Sequence, residues 1–205
     1  MTIDPVASPA QPKSATIEEW LAIPEEQRAE LIGGRIVRHA MPGPTHGVVQ
    51  RAIGARLDPF HRRKGDDDVP GGWWVSQEVD MFIGGVGCRP DLIGWQREFH
   101  PTLPAPNARG VVTEVPEWIC EVLSASTAAY DTGAKRDAYH RAGVRWYWLA
   151  DPLYRTLTVL RRIEEGYLIV RAATLGERVR VEPFEAVEIE VGELFDFGEE
   201  APTET

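Results

Sequence analysis

Residues 117–151 read EWICEVLSASTAAYDTGAKRDAYHRAGVRWYWLAD, and the fold follows from how this stretch divides. After Glu117, its next six residues are an apolar run interrupted by one acid, Glu121, and the whole reads as a buried strand over 117–123. Ser124 to Asp131 then supplies side chains that start helices, Ala134, Ala138 and Ala142 recur on a face that can lie on a sheet, and Gly143 suits a helix stop. A helix over about 131–142 is expected. Residues 144–150 form a second apolar strand, closed by Asp151-Pro152.

Upstream, Thr16 and Glu19 have capping-box spacing for a short helix over 17–22, and Pro24 suits the first position of another helical turn. Leu31-Ile32 and Ile36-Val37 flank Gly33-Gly34, a glycine pair that tolerates the positive φ of a tight hairpin. After the breaker Met41-Pro42-Gly43-Pro44, apolar residues Val48, Val49, Ala52, Ile53, Leu57 and Phe60 repeat at helical spacing, so one amphipathic helix over 45–63 is expected. A polar loop over 64–72 follows. Residues 73–83 alternate Val75, Val79, Met81 and Ile83 and read as one strand, which Gly84-Gly85-Val86-Gly87 turns into another over 89–95. The proline-rich residues 101–116 read as a long excursion. Residues 155–160 and 166–172 read as a hairpin beyond the strand that Asp151-Pro152 closes. The order is helix, three strands, helix, strand, an α/β fold with added β-hairpins.

The chain has 205 residues, 43% of them hydrophobic, enough for one well-buried core. The expected organisation is a flexible tail over 1–13, one domain over 14–197 and an acidic tail over 198–205. No run approaches the roughly 20 apolar residues of a membrane span, and the first residues lack signal-peptide order, so no membrane partner and a cytoplasmic location are expected. Cys88 and Cys120 are too few for a disulfide framework or a thiolate metal cage and read as reduced structural thiols. The formal charge of −10 argues against a protein that coats nucleic acid through a positive surface. A locally basic groove remains compatible with it through Arg51/Arg56/His61/Arg62/Arg63/Lys64 and Arg35/Arg38. A solvated helix face explains the same residues.

Two acids occupy strand positions where solvation is poor: Asp91, in Pro90-Asp91-Leu92-Ile93, and Glu121. An ionised carboxylate among apolar neighbours is costly unless it is paired or binds a cation, and a hard ion such as Mg²⁺ takes a few carboxylate and water oxygens. Lys135 lies one helical turn after Asp131 and one before Tyr139, so the three share a face. A lysine so placed can hold or help deprotonate a water and offset charge on a phosphate; an exposed Asp131–Lys135 helix pair has the same spacing. Ser124, Ser126 and Thr127 have no histidine nearby in sequence and read as caps rather than nucleophiles. Trp73, Trp74, Trp146 and Trp148 suit core packing or a dimer interface better than base stacking.

Taken together, Pro90-Asp91, Glu121-Val122-Leu123-Ser124-Ala125-Ser126-Thr127, Asp131, Lys135, Tyr139, Gly143-Val144, Tyr147-Trp148 and Asp151-Pro152 resemble the Uma-type putative restriction endonuclease family of the PD-(D/E)XK nuclease superfamily. The run from Glu30 to Ile36 and the Pro44-Thr45-His46 helix entry are similar to it as well. The resemblance implies a restriction-endonuclease-like core, a central mixed sheet flanked by helices, in which Asp91 and Glu121 bind Mg²⁺, with Mn²⁺ as a substitute. The superfamily pattern puts lysine two residues after the strand glutamate, where this chain has Leu123; Lys135 on the next helix is the matching position. The Val122 carbonyl is a further candidate ligand, and Glu78 and Glu30 are candidate additional carboxylates. His46, at the first helix start, is placed either to touch substrate phosphate or a metal-bound water or to sit satisfied in a loop, and Tyr139 either to orient Lys135 or to pack. The implied function is DNA hydrolysis by a homodimer. The alternatives are a non-catalytic homodimeric binding protein that keeps the fold and a hydrolase of smaller phosphoesters.

Overall fold

The computed structural model describes residues 14–61 and 70–198. The expected tail at 1–13, nearly all of the acidic tail, the last two residues of the expected 45–63 helix and the basic residues Arg62, Arg63 and Lys64 lie outside the described residues. The capping box forms as its spacing requires, Thr16 Oγ1 accepting the Glu19 N–H and Glu19 accepting the Thr16 N–H, and starts α1 (Ile17–Leu21). A single 3₁₀ turn, Glu25–Gln27, follows Pro24. Strands β1 (Ala29–Ile32) and β2 (Arg35–Arg38) then pair antiparallel about Gly33-Gly34, with Glu30 opposite Val37. Helix α2 (Pro44–Leu57) begins with proline in its first turn and buries Val49, Ile53 and Leu57 at four-residue spacing.

The expected strand over 73–83 is in fact two. β3 (Trp73–Gln77) ends at Glu78, whose φ of 51° breaks the extended path, and β4 (Met81–Ile83) restarts in a different sheet. The alternation was real, but its two halves pack on different layers. The tight turn is Gly84-Gly85 alone, because Val86 and Gly87 already belong to β5 (Val86–Cys88), the hairpin partner of β4. The following strand, expected over 89–95, is β6 (Leu92–Gln96) and leaves Asp91 just before it.

β7 (Trp118–Val122) is buried along its whole length. It leads into a continuous helical run made of α3 (Ala128–Tyr130), one π-helical turn (Asp131–Lys135) and α4 (Arg136–Ala142), which Gly143 ends at a φ of 100°. β8 (Trp146–Asp151) returns parallel to β7, the geometry a helical crossover permits, with Glu121 in register with Leu149. β9 (Thr156–Ile163) and β10 (Gly166–Thr174) extend the sheet as a hairpin. Its order is β10-β9-β8-β7-β6-β3, and β2-β1-β5-β4 form a second, four-stranded sheet. The expected helix, three strands, helix, strand order is therefore present as α2, β3, β6, β7, α3–α4, β8.

Period-two alternation divides the core between the faces of the large sheet. Trp118, Cys120 and Val122 of β7 join Trp148 and Ala150 of β8 against α2 on one side, and Ile119 joins Tyr147 and Leu149 against α4 on the other. The first side is completed by a segment with little regular structure, β11 (Arg178–Val179), β12 (Ile189–Glu190) and α5 (Val191–Leu194). Its Phe184 is fully buried against Phe60, Trp73, Trp118 and Trp148. Trp73 and Trp148 are thus core residues, whereas Trp74 carries the Arg97 guanidinium 3.2 Å from its ring centroid. Cys88 and Cys120 are buried free thiols, as expected.

Gly84 has a φ of 57°, and a Cβ there would lie 2.1 Å from the Ala138 carbonyl oxygen, whereas one at Gly85, φ 84°, would meet open space. Gly84→Ala should therefore combine backbone strain with overpacking of about 1–3 kcal/mol, and Gly85→Ala should show only the strain. Urea unfolding of the two variants measures the difference; equal losses would contradict the packing of β4–β5 on α4.

Candidate active site

Each side chain of the site is delivered by an element with a sequence-level reason to be there. The face of β7 that holds Ile119 also holds Glu121, which therefore points at α4 and is only 2% exposed. The π turn is a local widening of the helix of the kind found at functional sites, and both its end residues, Asp131 and Lys135, are buried. From there the Lys135 Nζ reaches Glu121 Oε1 at 2.7 Å, Asp131 Oδ1 at 3.0 Å and Glu30 Oε1 at 3.2 Å. Lys135 is 3% exposed, so the expectation of a surface helix pair with Asp131 gives way to a buried ammonium clamped by three carboxylates. One turn on, the Tyr139 hydroxyl donates to the same Glu121 oxygen at 2.7 Å. Tyr139 thus orients Glu121 and not Lys135, while its ring packs edge-on against Tyr147.

Asp91 enters from the start of β6. Its Oδ2 accepts the Val122 N–H at 2.7 Å, and its own N–H points at Glu121 Oε2 at 3.4 Å, which ties the two acids together across neighbouring strands. Its Oδ1 lies 2.9 Å from Nε2 of His46 in the first turn of α2. One helical turn later Gln50 donates to the Asp91 carbonyl at 3.0 Å. His46 is buried and bonded to a carboxylate, not placed in a loop.

Glu30 belongs to β1 and gathers the Lys135 ammonium, His39 Nε2 at 2.8 Å and the Arg89 N–H at 3.1 Å. His39, absent from the sequence-based site, is its diagonal neighbour on the hairpin, two residues beyond Val37, and the Gly33-Gly34 register holds the signal that would have found it. Glu78 stands apart: it is 39% exposed in its side chain and contacts Arg28 at 3.8 Å and Gln50 at 3.4 Å, outside the lining of the cavity that the other acids share. The Ser124 hydroxyl bonds those of Ser126 and Thr127, and Thr127 Oγ1 accepts the Ser124 N–H, so the hydroxyls stabilise the turn before α3 and, against expectation, none caps the N-terminus of that helix.

Five carboxylates, Glu30, Asp80, Asp91, Glu121 and Asp131, face three Lys or Arg side chains, Lys135, Arg28 and Arg89, around one cavity of about 560 Å³. Burial pulls the Lys135 ammonium down, but Glu121, Glu30 and Asp131 overcome it and hold the amine protonated well above its ordinary range. Burial would also raise Glu30; the Lys135 charge, the His39 bond and the Arg89 N–H outweigh it and lower that carboxyl to about 2. At Glu121 burial wins over Lys135, helped by repulsion from Asp131, Asp91 and Glu30, and the carboxyl is raised. The site therefore has more acid than its ammonium neutralises, and all the excess donors are hard oxygens. Among the described residues no group of three or more His, Cys, Asp or Glu side chains is arranged to hold a metal ion. Mg²⁺ needs only one or two carboxylates and completes its shell with water and phosphate oxygens, so Asp91 and Glu121 are the residues that could hold one.

Lys135→Met should strand three buried carboxylates and cost about 3–5 kcal/mol in chemical denaturation; a loss near zero would mean that the amine does not hold the cluster. Because the Glu30 carboxyl is lowered from 4.5 to about 2, its contribution is present above pH 4.5 and lost as pH falls through 2. Glu30→Gln should accordingly flatten the acid limb of a stability–pH curve in that window. An unchanged slope would contradict the pairing.

The family model described as "Uma2: Putative restriction endonuclease" matches residues 15–192. Among solved structures, that of a putative nuclease belonging to DUF820 from Anabaena variabilis ATCC 29413 superposes with a TM-score of 0.63 at 21% identity, covering 88% of this chain and 97% of that one. At that identity the likeness establishes the fold, a mixed sheet flanked by helices. No curated protein matches the chain. Since the family match takes in both sheets, the helical run between β7 and β8 and every residue of the acid–lysine cluster, the chain belongs to the Uma2 putative restriction endonuclease family.

Proposed function

We propose that this protein is a metal-dependent nuclease that hydrolyses phosphodiester bonds in DNA, with Asp91 and Glu121 holding Mg²⁺ or Mn²⁺ and Lys135 assisting the attacking water. The observation that carries the reading is the convergence of two strand acids and a helix amine in one cavity with uncompensated negative charge. The family and the solved relative, itself described as a putative nuclease, support it. When bound, the ion supplies Lewis-acid stabilisation of charge on the phosphodiester and makes water a better nucleophile near neutral pH.

The remaining work falls to the chain. Lys135 is kept protonated by its three carboxylates, so it offsets charge at the phosphate and is not the base; because its N–H donors face Glu121, Glu30 and Asp131, assisting the water requires that one of these carboxylates release a donor. Tyr139 fixes one oxygen of Glu121, and the Val122 N–H with His46 fixes both oxygens of Asp91, so the acids are held in place before substrate arrives. Val122 contributes its N–H to this arrangement; a role for its carbonyl as a ligand is part of the proposal. A second reading, a non-catalytic homodimeric binding protein, is favoured by the charge of −10, since duplex-binding surfaces are basic.

Incubating double- and single-stranded DNA circles with protein and Mg²⁺ or Mn²⁺ tests the proposal. Wild type should cut, chelator should stop it, and Asp91→Ala, Glu121→Ala and Lys135→Ala should each lower the rate by about 10²-fold or more. Mn²⁺ should raise the thermal midpoint of wild type but not of Asp91→Ala. Cleavage that persists in all three variants contradicts the site, and a wild type that neither cuts nor responds to metal supports the binding protein.

A further inference from the structure

The nuclease reading leaves open what form of DNA reaches the acids, and the shape of the cavity bears on it. We propose, resting on that reading, that the site takes one nucleotide unit of a single strand, with its base on an apolar wall and its phosphate at the Asp91–Glu121–Lys135 end, and does not engage intact duplex.

The reactive groups lie deep. Asp91 is 7% exposed, Glu121 2% and Lys135 3%, and all three line a cavity of about 560 Å³. That volume falls in the range of roughly 300–1,000 Å³ typical of pockets that enclose small molecules, the size class of a nucleotide. A phosphodiester within a paired, stacked duplex is carried on a rigid body much wider than such a pocket. It can reach these atoms only if its nucleotide leaves the stack, which costs a few kcal/mol in a duplex and far less in a single strand.

Charge points the same way. A duplex-binding surface neutralises about 6–10 phosphates with lysine and arginine. Here the Lys and Arg side chains that line the cavity each have an acid beside them: Arg89 makes a two-point bond to Asp80, at 2.9 and 2.8 Å, Arg28 lies 3.8 Å from Glu78, and Lys135 is clamped. The same cavity also has apolar lining: Ile23, Pro24, Met41 and Pro42 contribute to it, and Met41 is 70% exposed although it lines the cavity that holds the buried charge cluster. An apolar ledge next to a phosphate-sized polar end suits a base and its phosphate, and contact with a base face is indifferent to sequence.

The experiment compares three DNAs of one sequence, a single-stranded circle, a linear single strand and a covalently closed duplex, for cleavage in Mg²⁺ and for binding in Ca²⁺ by fluorescence anisotropy. Both single-stranded forms should be cut and bound at least about ten-fold better than the closed duplex, and Met41→Ala, at an exposed position that leaves the fold intact, should weaken single-strand binding about five-fold or more. Equal cleavage of the closed duplex overturns this inference and leaves the nuclease reading standing. Tight single-strand binding without cleavage keeps the inference and overturns catalysis. A protein that binds none of the three overturns both, and unchanged binding by Met41→Ala overturns the placement of the base.

Discussion

A charged amine that is 3% exposed persists in a protein interior only where carboxylates surround it, and Lys135 meets that condition with Glu121, Asp131 and Glu30. Those four groups come from β7, the π turn that soon follows it, and β1, whose Glu30 is 105 residues from Lys135 in sequence. Their mutual neutralisation therefore docks the small sheet and the helical run onto the central strand, and hydrophobic burial then fixes the docking. Hydrophobic contact alone would tolerate a shift of α4 along the sheet; a three-point ion cluster with N–O distances of 2.7–3.2 Å would not.

The same cluster explains the local irregularities. A regular α-helix from Ala128 onward would have no reason to widen, yet the turn from Asp131 to Lys135 is π-helical, and its two ends are the two buried charges. The break at Glu78 has a parallel role. It lets β3 finish the large sheet and β4 begin the small one, while the Glu78 N–H bonds near the Pro90 and Asp91 carbonyls and so helps hold the start of β6, where Asp91 sits. The site is built at the seam between the two sheets, and the irregular residues are where the seam is stitched.

Much of this was legible in the sequence, for identifiable reasons. Glu121 stood out because one acid in an apolar strand has few bland explanations, and Lys135 because Asp131 and Tyr139 flank it at one-turn spacing. The first helix and hairpin were fixed by local chemistry, a capping box and a glycine pair, that tertiary context did not need to override. What was hidden depends on long-range packing. The 73–83 alternation continues through Glu78 with no sign that its halves serve different sheets. The last segment has two-residue strands, too short for any periodicity, yet it buries Phe184, Val191 and Leu194. His39 was missed because only the hairpin register, not its own neighbours in sequence, brings it to Glu30.

On the proposed function, a buried acid cluster part-neutralised by a fixed lysine leaves Asp91 and Glu121 to take a divalent cation, and anomalous diffraction from crystals grown with Mn²⁺ would locate it. One strong peak beside the Asp91 and Glu121 carboxylates is expected, with the Lys135 ammonium still against Glu121. A peak elsewhere, or an Mn²⁺ ion that takes the place of the Lys135 ammonium between Glu121, Asp131 and Glu30, would contradict the proposal.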